Sequence, residues 1–216
     1  MPDFFYTKNP VHNGITTKFL IQMNICVFSS SSNAIADCYF EEADNLGRLI
    51  GKNGHNLING GANVGLMEAV TVAASLAGAK TTGILPERLI GRSLASDNSH
   101  QVIVTKDMQE RKAKMRDLSD AFIALPGGFG TLEEVLEVLT LRQLSYHTKP
   151  VVFINTNNFY KYLLKHFEYS FAELFAKELY KKLYYFADNA NDAIKYIQTY
   201  KPVELDSKWF VVPDKK

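Results

Sequence analysis

Ala121-Phe122-Ile123-Ala124-Leu125-Pro126-Gly127-Gly128-Phe129-Gly130-Thr131-Leu132-Glu133-Glu134 is the stretch that decides how this chain folds. Its first five residues are apolar without alternation, as in a strand covered on both faces. A proline and three glycines follow, and from residue 132 to 145 the pattern is helical. Strand, glycine loop and helix form the repeating unit of a parallel sheet with crossover helices. Outward from this stretch the unit recurs. Strands are expected at residues 24–28, 56–59, 82–85, 101–105 and 151–154, and helices at 35–52, 66–77 and 108–119. Beyond these, residues 158–180 read as helix, 183–186 as a short last strand and 192–200 as a closing helix. The expectation is an α/β fold, a doubly wound parallel sheet of Rossmann-like type, in a single domain over residues 23–200. Residues 1–22 read as an N-terminal extension and 201–216 as a C-terminal tail. In such sheets ligands bind beyond the carboxyl ends of the strands, where the glycine-rich segments of this chain fall.

Composition narrows the partners. With 216 residues, 46% of them hydrophobic, the chain has material for one well-formed core. A formal net charge of +1 provides no global field for a polyanion, so nucleic acid is not an expected partner and phosphate recognition has to be local. No stretch approaches the ~18 to 20 apolar residues of a membrane span, and the first 22 residues lack the apolar centre of a signal peptide. No membrane association and a cytoplasmic location are expected. Cys26 and Cys38 have neither metal-ligand spacing nor the density of a disulfide framework, and read as reduced packing residues. Histidines 12, 55, 100, 147 and 166 show no ligand pairing and no G-x-S-x-G occurs, which argues against metal and triad chemistry.

Three segments could carry chemistry. Gly60-Gly61-Ala62-Asn63-Val64-Gly65 runs from a strand into a helix, and such a turn either presents amides to a phosphate or is only a tight turn. In the segment quoted first, Thr131 and Glu134 have capping-box spacing, with Thr131 as N-cap and Glu134 folding back onto it. A cap accounts for two residues and not for the glycines before it. A carboxylate at the crevice of a nucleotide site could instead stabilise an oxocarbenium-like sugar or orient a water. Between these loops, Asp107 and Glu110 have capping-box spacing of their own and place Arg111 and Lys112 near the strand ends. Lys114 and Arg116 read as a solvated face, whereas the Arg111 guanidinium offers bidentate contacts to a phosphate or carboxylate. Ser29–Ser32 end the first strand, where their hydroxyls could meet a ligand or start the next helix, and capping is the favoured reading.

Taken together, PGGFGTLEE, the upstream MQERK and GGANVGLM resemble the LONELY GUY family of cytokinin-activating phosphoribohydrolases, whose members are often labelled possible lysine decarboxylases. The resemblance covers roughly residues 23–199. It implies hydrolysis of the N-glycosidic bond of N6-substituted adenosine 5'-monophosphates, or of AMP, to free base and ribose 5-phosphate, without a cofactor. By matching position, Arg111 and Glu134 are the catalytic pair; Lys112, Gly128, Phe129, Gly130, Thr131, Leu132, Glu133 and Thr140 hold the substrate; and Gly60, Gly61 and Gly65 cradle the phosphate. The small-molecule partner is then a nucleoside monophosphate, and a homodimer with sites near its interface is implied. Two departures stand out: Ala62 where the family usually has glycine, and Pro86-Glu87-Arg88 where cytokinin-processing members often carry Pro-Arg-Glu.

Three other readings compete. A non-catalytic nucleotide-binding Rossmann-like module would bind without releasing base. A dehydrogenase would use Glu87 on a ribose 2'-OH, but the glycine loop follows the second strand and Ala62 breaks the fingerprint. A decarboxylase would need a pyridoxal phosphate lysine, and no motif singles one out.

Overall fold

Near-continuous apolar runs can only be satisfied between two layers of helices, and the chain arranges them so. A computed structural model describes residues 21–90 and 94–203. Most of the extension, most of the tail and the segment Gly91-Arg92-Ser93 lie outside the described residues. Strand β1 (Asn24–Phe28) pairs in parallel with β2 (Asn56–Asn59) on one side and β5 (Ala121–Ala124) on the other. Strands β3 (Thr81–Pro86) and β4 (Gln101–Thr105) extend the first side, and β6 (Val151–Ile154) and β7 (Tyr185–Ala187) the second. The order is β4-β3-β2-β1-β5-β6-β7, with every pairing parallel. The direction of winding reverses between β1 and β5, which opens a crevice at the carboxyl ends of these two strands.

Helices α1 (Asp37–Lys52), α2 (Gly65–Leu76) and α7 (Ala190–Thr199) cover one face around a core that includes Ile25, Leu46, Val70, Ile123 and Ile194. Helices α4 (Met108–Asp117), α5 (Phe129–Gln143) and α6 (Lys161–Ala172) cover the other, around Met115, Phe122, Val135, Phe153 and Tyr160. A short helix α3 (Glu87–Ile90) follows β3. Successive β1 residues feed opposite cores, Ile25 and Val27 the first, Cys26 and Phe28 the second. Each fully buried large side chain contributes about 1.5–3 kcal/mol.

The expected strands and helices are present, with three differences that matter. Helix α5 begins at Phe129 with Gly128 as N-cap, so Thr131 is not the cap and Glu134 does not fold back onto it. The glycines let the chain enter the helix three residues early. Helix α1 begins at Asp37 with Ala36 at the N-cap and no side-chain capping bond, so Ser29–Ser32 do not cap it. The expected single helix over 158–180 ends at Ala172. Leu174 has φ 61°, and a 3-10 segment Glu178–Leu183 follows. There the buried Arg142 donates to the Leu183 carbonyl at 2.7 Å and also bonds the Tyr200 hydroxyl. A tertiary anchor of this kind leaves no trace in local periodicity.

Candidate active site

The crevice at the switch point is a cleft of about 400 Å3 whose walls come from the ends of β1 and β5 and from the first turns of α2, α4 and α5. Its β5 wall is fixed by two main-chain anchors. The Leu125 amide donates to the Phe28 carbonyl at 2.9 Å, and the buried Tyr160 hydroxyl donates to the Leu125 carbonyl at 2.7 Å. Pro126-Gly127-Gly128 then turn the chain into α5. Thr131 packs under this turn so tightly that a Cβ on Gly127 would lie 2.1 Å from its Oγ1.

The start of α5 is open. Gly128 provides no capping side chain, the first turn carries no acidic residue, and the first intrahelical bond runs from the Leu132 amide to the Gly128 carbonyl. The amides of Phe129, Gly130 and Thr131 precede that bond and are the donors a helix leaves for an external anion. A Cβ on Gly128 or Gly130 would meet nothing within 4 Å. Phe129 stands 94% exposed at the rim.

Arg111 enters from the opposite wall. Asp107 caps α4, accepting from the Glu110 amide at 2.8 Å, and the Glu110 carboxylate accepts from the Lys106 amide at 2.9 Å. The helix so fixed carries Arg111 inward to 7% exposure. Its Nε donates to the Ile84 carbonyl at 2.8 Å, and its Nη1 donates to Glu134 Oε1 at 2.8 Å. Both side chains of the pair are nearly buried, so removing one partner would strand the other at a cost of about 3–5 kcal/mol. Burial pushes the Glu134 carboxyl above its ordinary value, and the Arg111 charge opposes that rise. The result is an oriented carboxylate beside the open helix end.

The remaining expected residues separate into two groups. Glu133 joins Arg111, Gly128, Phe129, Gly130, Thr131 and Glu134 in the cleft. The others do not line it. Lys112 is paired with Glu133 and with Glu137 at 3.1 Å, and Arg116 joins Glu137 at 2.9 Å, a ladder that ties α4 to α5. Arg116, expected on a solvated face, is therefore engaged. Hydrogen bonding to Glu133 raises the Lys112 pKa. Leu132 packs against the second core. Thr140 donates to the Leu136 carbonyl and lines a separate apolar groove between α5 and α6.

Gly60, Gly61 and Gly65 lie behind the cleft wall. A Cβ on Gly60 would sit 1.9 Å from Arg111 Nη2, so this glycine makes room for the guanidinium. The Gly61 amide donates to Asn59 Oδ1 at 2.9 Å and the Gly65 amide to Asn33 Oδ1 at 2.8 Å. Gly65, with φ +59°, lets the loop of Ser30–Ser32 pass against the start of α2, where the Leu66 amide donates to the Ser30 carbonyl. Met67 and Met108 line the cleft without having been singled out in the sequence, and the serines 29–32, for which capping was favoured over a ligand contact, line it too. Their only signal was position, immediately after a strand end or in the first turn of the helix that follows.

An arginine–glutamate pair and an uncapped helix end meet at the switch point of a doubly wound sheet, in a protein of Rossmann-like architecture. Comparison with known proteins places it more narrowly. The family described as possible lysine decarboxylase matches residues 67–197. Two cytokinin riboside 5'-monophosphate phosphoribohydrolases of Arabidopsis thaliana are each 38% identical to this chain, over 87% and 85% of it and 84% and 86% of their own lengths. A probable enzyme of the same name from Oryza sativa subsp. japonica is 36% identical over 83% of this chain and 79% of its own. Among solved structures, a molybdenum cofactor binding protein of Rippkaea orientalis has 29% identity and a TM-score of 0.65, covering 82% of this chain and 96% of its own. The Moco carrier protein of Chlamydomonas reinhardtii has 26% identity and a TM-score of 0.63 over the same shares. The chain belongs to the possible lysine decarboxylase family, the LONELY GUY phosphoribohydrolases among its members.

Proposed function

We propose that this chain is a nucleoside 5'-monophosphate phosphoribohydrolase acting on AMP or its N6-substituted derivatives, with the cleft between β1 and β5 as its active site. One observation carries the reading: the buried Arg111–Glu134 pair set against the open first turn of α5. The 5'-phosphate is placed on the amides of Phe129, Gly130 and Thr131, where helix dipole and unspent donors favour an anion. Gly60, Gly61 and Gly65 serve the same site by spacing rather than by direct contact. Arg111 holds one oxygen of Glu134, which fixes the carboxylate beside the ribose. As the C1'–N9 bond breaks, its electron pair leaves with the base, positive charge grows on the sugar, and the Glu134 carboxylate stabilises it. A water attacks C1', giving up a proton toward Glu134. The base takes up a proton, and free base and ribose 5-phosphate result.

A module that only binds an anionic nucleotide gains nothing from a buried carboxylate at the cleft, which disfavours the non-catalytic reading. The two cysteines are free, and no helix among the described residues is long and apolar enough to cross a membrane. Both are in keeping with the cytoplasmic location we assign. Lys112 and Glu133 are placed as a paired support at the cleft rim. Thr140 lies outside its own chain's cleft, so its substrate contact rests on the homodimer that we also propose.

The test is a panel of AMP, isopentenyl-AMP and adenosine, with free base followed by chromatography. Release from the monophosphates and not from the nucleoside is expected. Binding of the monophosphates without release from any would leave a binding module instead.

A further inference from the structure

The cleft contains one hydroxyl that the mechanism above does not use. Ser29 is the first residue after β1, beside the Phe28–Leu125 hydrogen bond that joins β1 to β5 at the start of the glycine loop. It is 8% exposed and lines the cleft with Gly128, Gly130 and Thr131. Its Oγ has no hydrogen-bond partner among the described residues. Its neighbours differ: Ser30 Oγ accepts from the Ser32 amide and Ser32 Oγ from the Ala34 amide, each at 3.1 Å, so both are spent on the loop. A buried hydroxyl left unmatched costs free energy that folding ordinarily avoids, and at a cleft a bound ligand is one partner that can match it. Ser29 borders the cleft, and a serine hydroxyl has three staggered χ1 positions available to it.

We infer that Ser29 is a phosphate-contacting residue whose hydroxyl donates to an oxygen of the 5'-phosphate seated on the first turn of α5. The inference rests on the phosphate placement proposed above. It gives the phosphate donors from both sides of the switch point, amides from the β5 side and a hydroxyl from the β1 side. As a neutral donor, Ser29 adds selectivity for an anion without adding charge to a cleft that already holds Arg111. Its contact is with the phosphate, which does not change during the reaction, so it is a binding contact and belongs to KM rather than to kcat.

The experiment compares the wild-type chain with Ser29→Ala and Ser29→Thr, measuring steady-state kinetics with AMP and direct calorimetric binding of ribose 5-phosphate. A hydrogen bond to a charged group predicts that Ser29→Ala raises KM and the ribose 5-phosphate Kd together, by roughly 10- to 100-fold. The change in kcat should be far smaller, and Ser29→Thr, which keeps the hydroxyl, should recover most of the binding. An inorganic phosphate titration serves as a second probe and should weaken in the alanine variant likewise. A folded Ser29→Ala chain that binds ribose 5-phosphate like wild type overturns the inference. So does a loss confined to kcat, which would put the hydroxyl on the reacting sugar. If wild type binds ribose 5-phosphate but releases no base, the proposed reaction fails while the calorimetry still decides Ser29. If it binds neither AMP nor ribose 5-phosphate, both fall.

Discussion

Replacing Gly60 by alanine sets a single methyl group against the arginine on which the cleft depends. The added Cβ would lie 1.9 Å from Arg111 Nη2, 3.0 Å from Met67 Sδ and 3.2 Å from Arg111 Cζ. Ordinary contact requires Nη2 to retreat by roughly 1.5 Å. The guanidinium is planar and held at two points, Nε on the Ile84 carbonyl and Nη1 on Glu134, each at 2.8 Å, so it cannot retreat and keep both. A displacement of about 1 Å in a positioning group costs on the order of 100-fold in rate. Overpacking costs about 1–3 kcal/mol, which for a chain of this size lowers Tm by roughly 3–10 °C. The assay pairs base release from AMP with thermal unfolding. A Gly60→Ala protein with a lowered Tm and kcat/KM down by about two orders of magnitude is expected. A folded variant with wild-type kcat/KM would refute the claim that Arg111, held where it is, positions the catalytic carboxylate.

Two further outcomes separate space reserved for a ligand from space reserved for the protein. Gly130→Ala adds a Cβ that meets no protein atom within 4 Å, so the ligand-free chain should be as stable as wild type or more so, by up to ~1 kcal/mol. Its affinity for AMP should nevertheless fall, because the methyl group occupies the phosphate's approach; undiminished binding by calorimetry would move the phosphate elsewhere. The pH profile follows from the role proposed for Glu134, that of a carboxylate. Burial raises its pKa, so activity is lost as pH falls, and the acidic limb of kcat/KM should lie above the ordinary carboxylate value of 4.5. Arg111→Gln removes the charge that opposes the shift and should move the limb to higher pH. An acidic limb at the ordinary value, or one indifferent to Arg111, would count against this role.

The sheet was legible because its strands are buried on both faces: runs such as those at Ile25–Phe28 and Phe122–Ala124 admit little else between glycine-rich turns. The site was legible only in part. Arg111 and Glu134 are 23 residues apart on different helices, and spacing alone gave Glu134 a local partner in Thr131. The actual partner follows from helix α5 starting three residues earlier, which no period within the helix encodes. Gly60 was read as a place for a phosphate, yet the close neighbour that excludes a side chain there is Arg111, 51 positions along the chain. The serines after β1 illustrate the same limit. A hydroxyl between a strand end and a helix suits a cap as well as a ligand, and only the actual start of α1 at Asp37, without a side-chain cap, leaves Ser29 to the cleft.

The most direct test of the account is to incubate the chain with isopentenyl-AMP or AMP in buffer free of phosphate and quantify both products, for wild type and Glu134→Gln side by side. The account predicts free base and ribose 5-phosphate in equal amounts from wild type. It also predicts retained nucleotide binding in Glu134→Gln, with kcat reduced by roughly 10²- to 10⁴-fold. Equal turnover in the two proteins would remove Glu134 from the chemistry, and intact nucleotide recovered from wild type would contradict hydrolysis altogether.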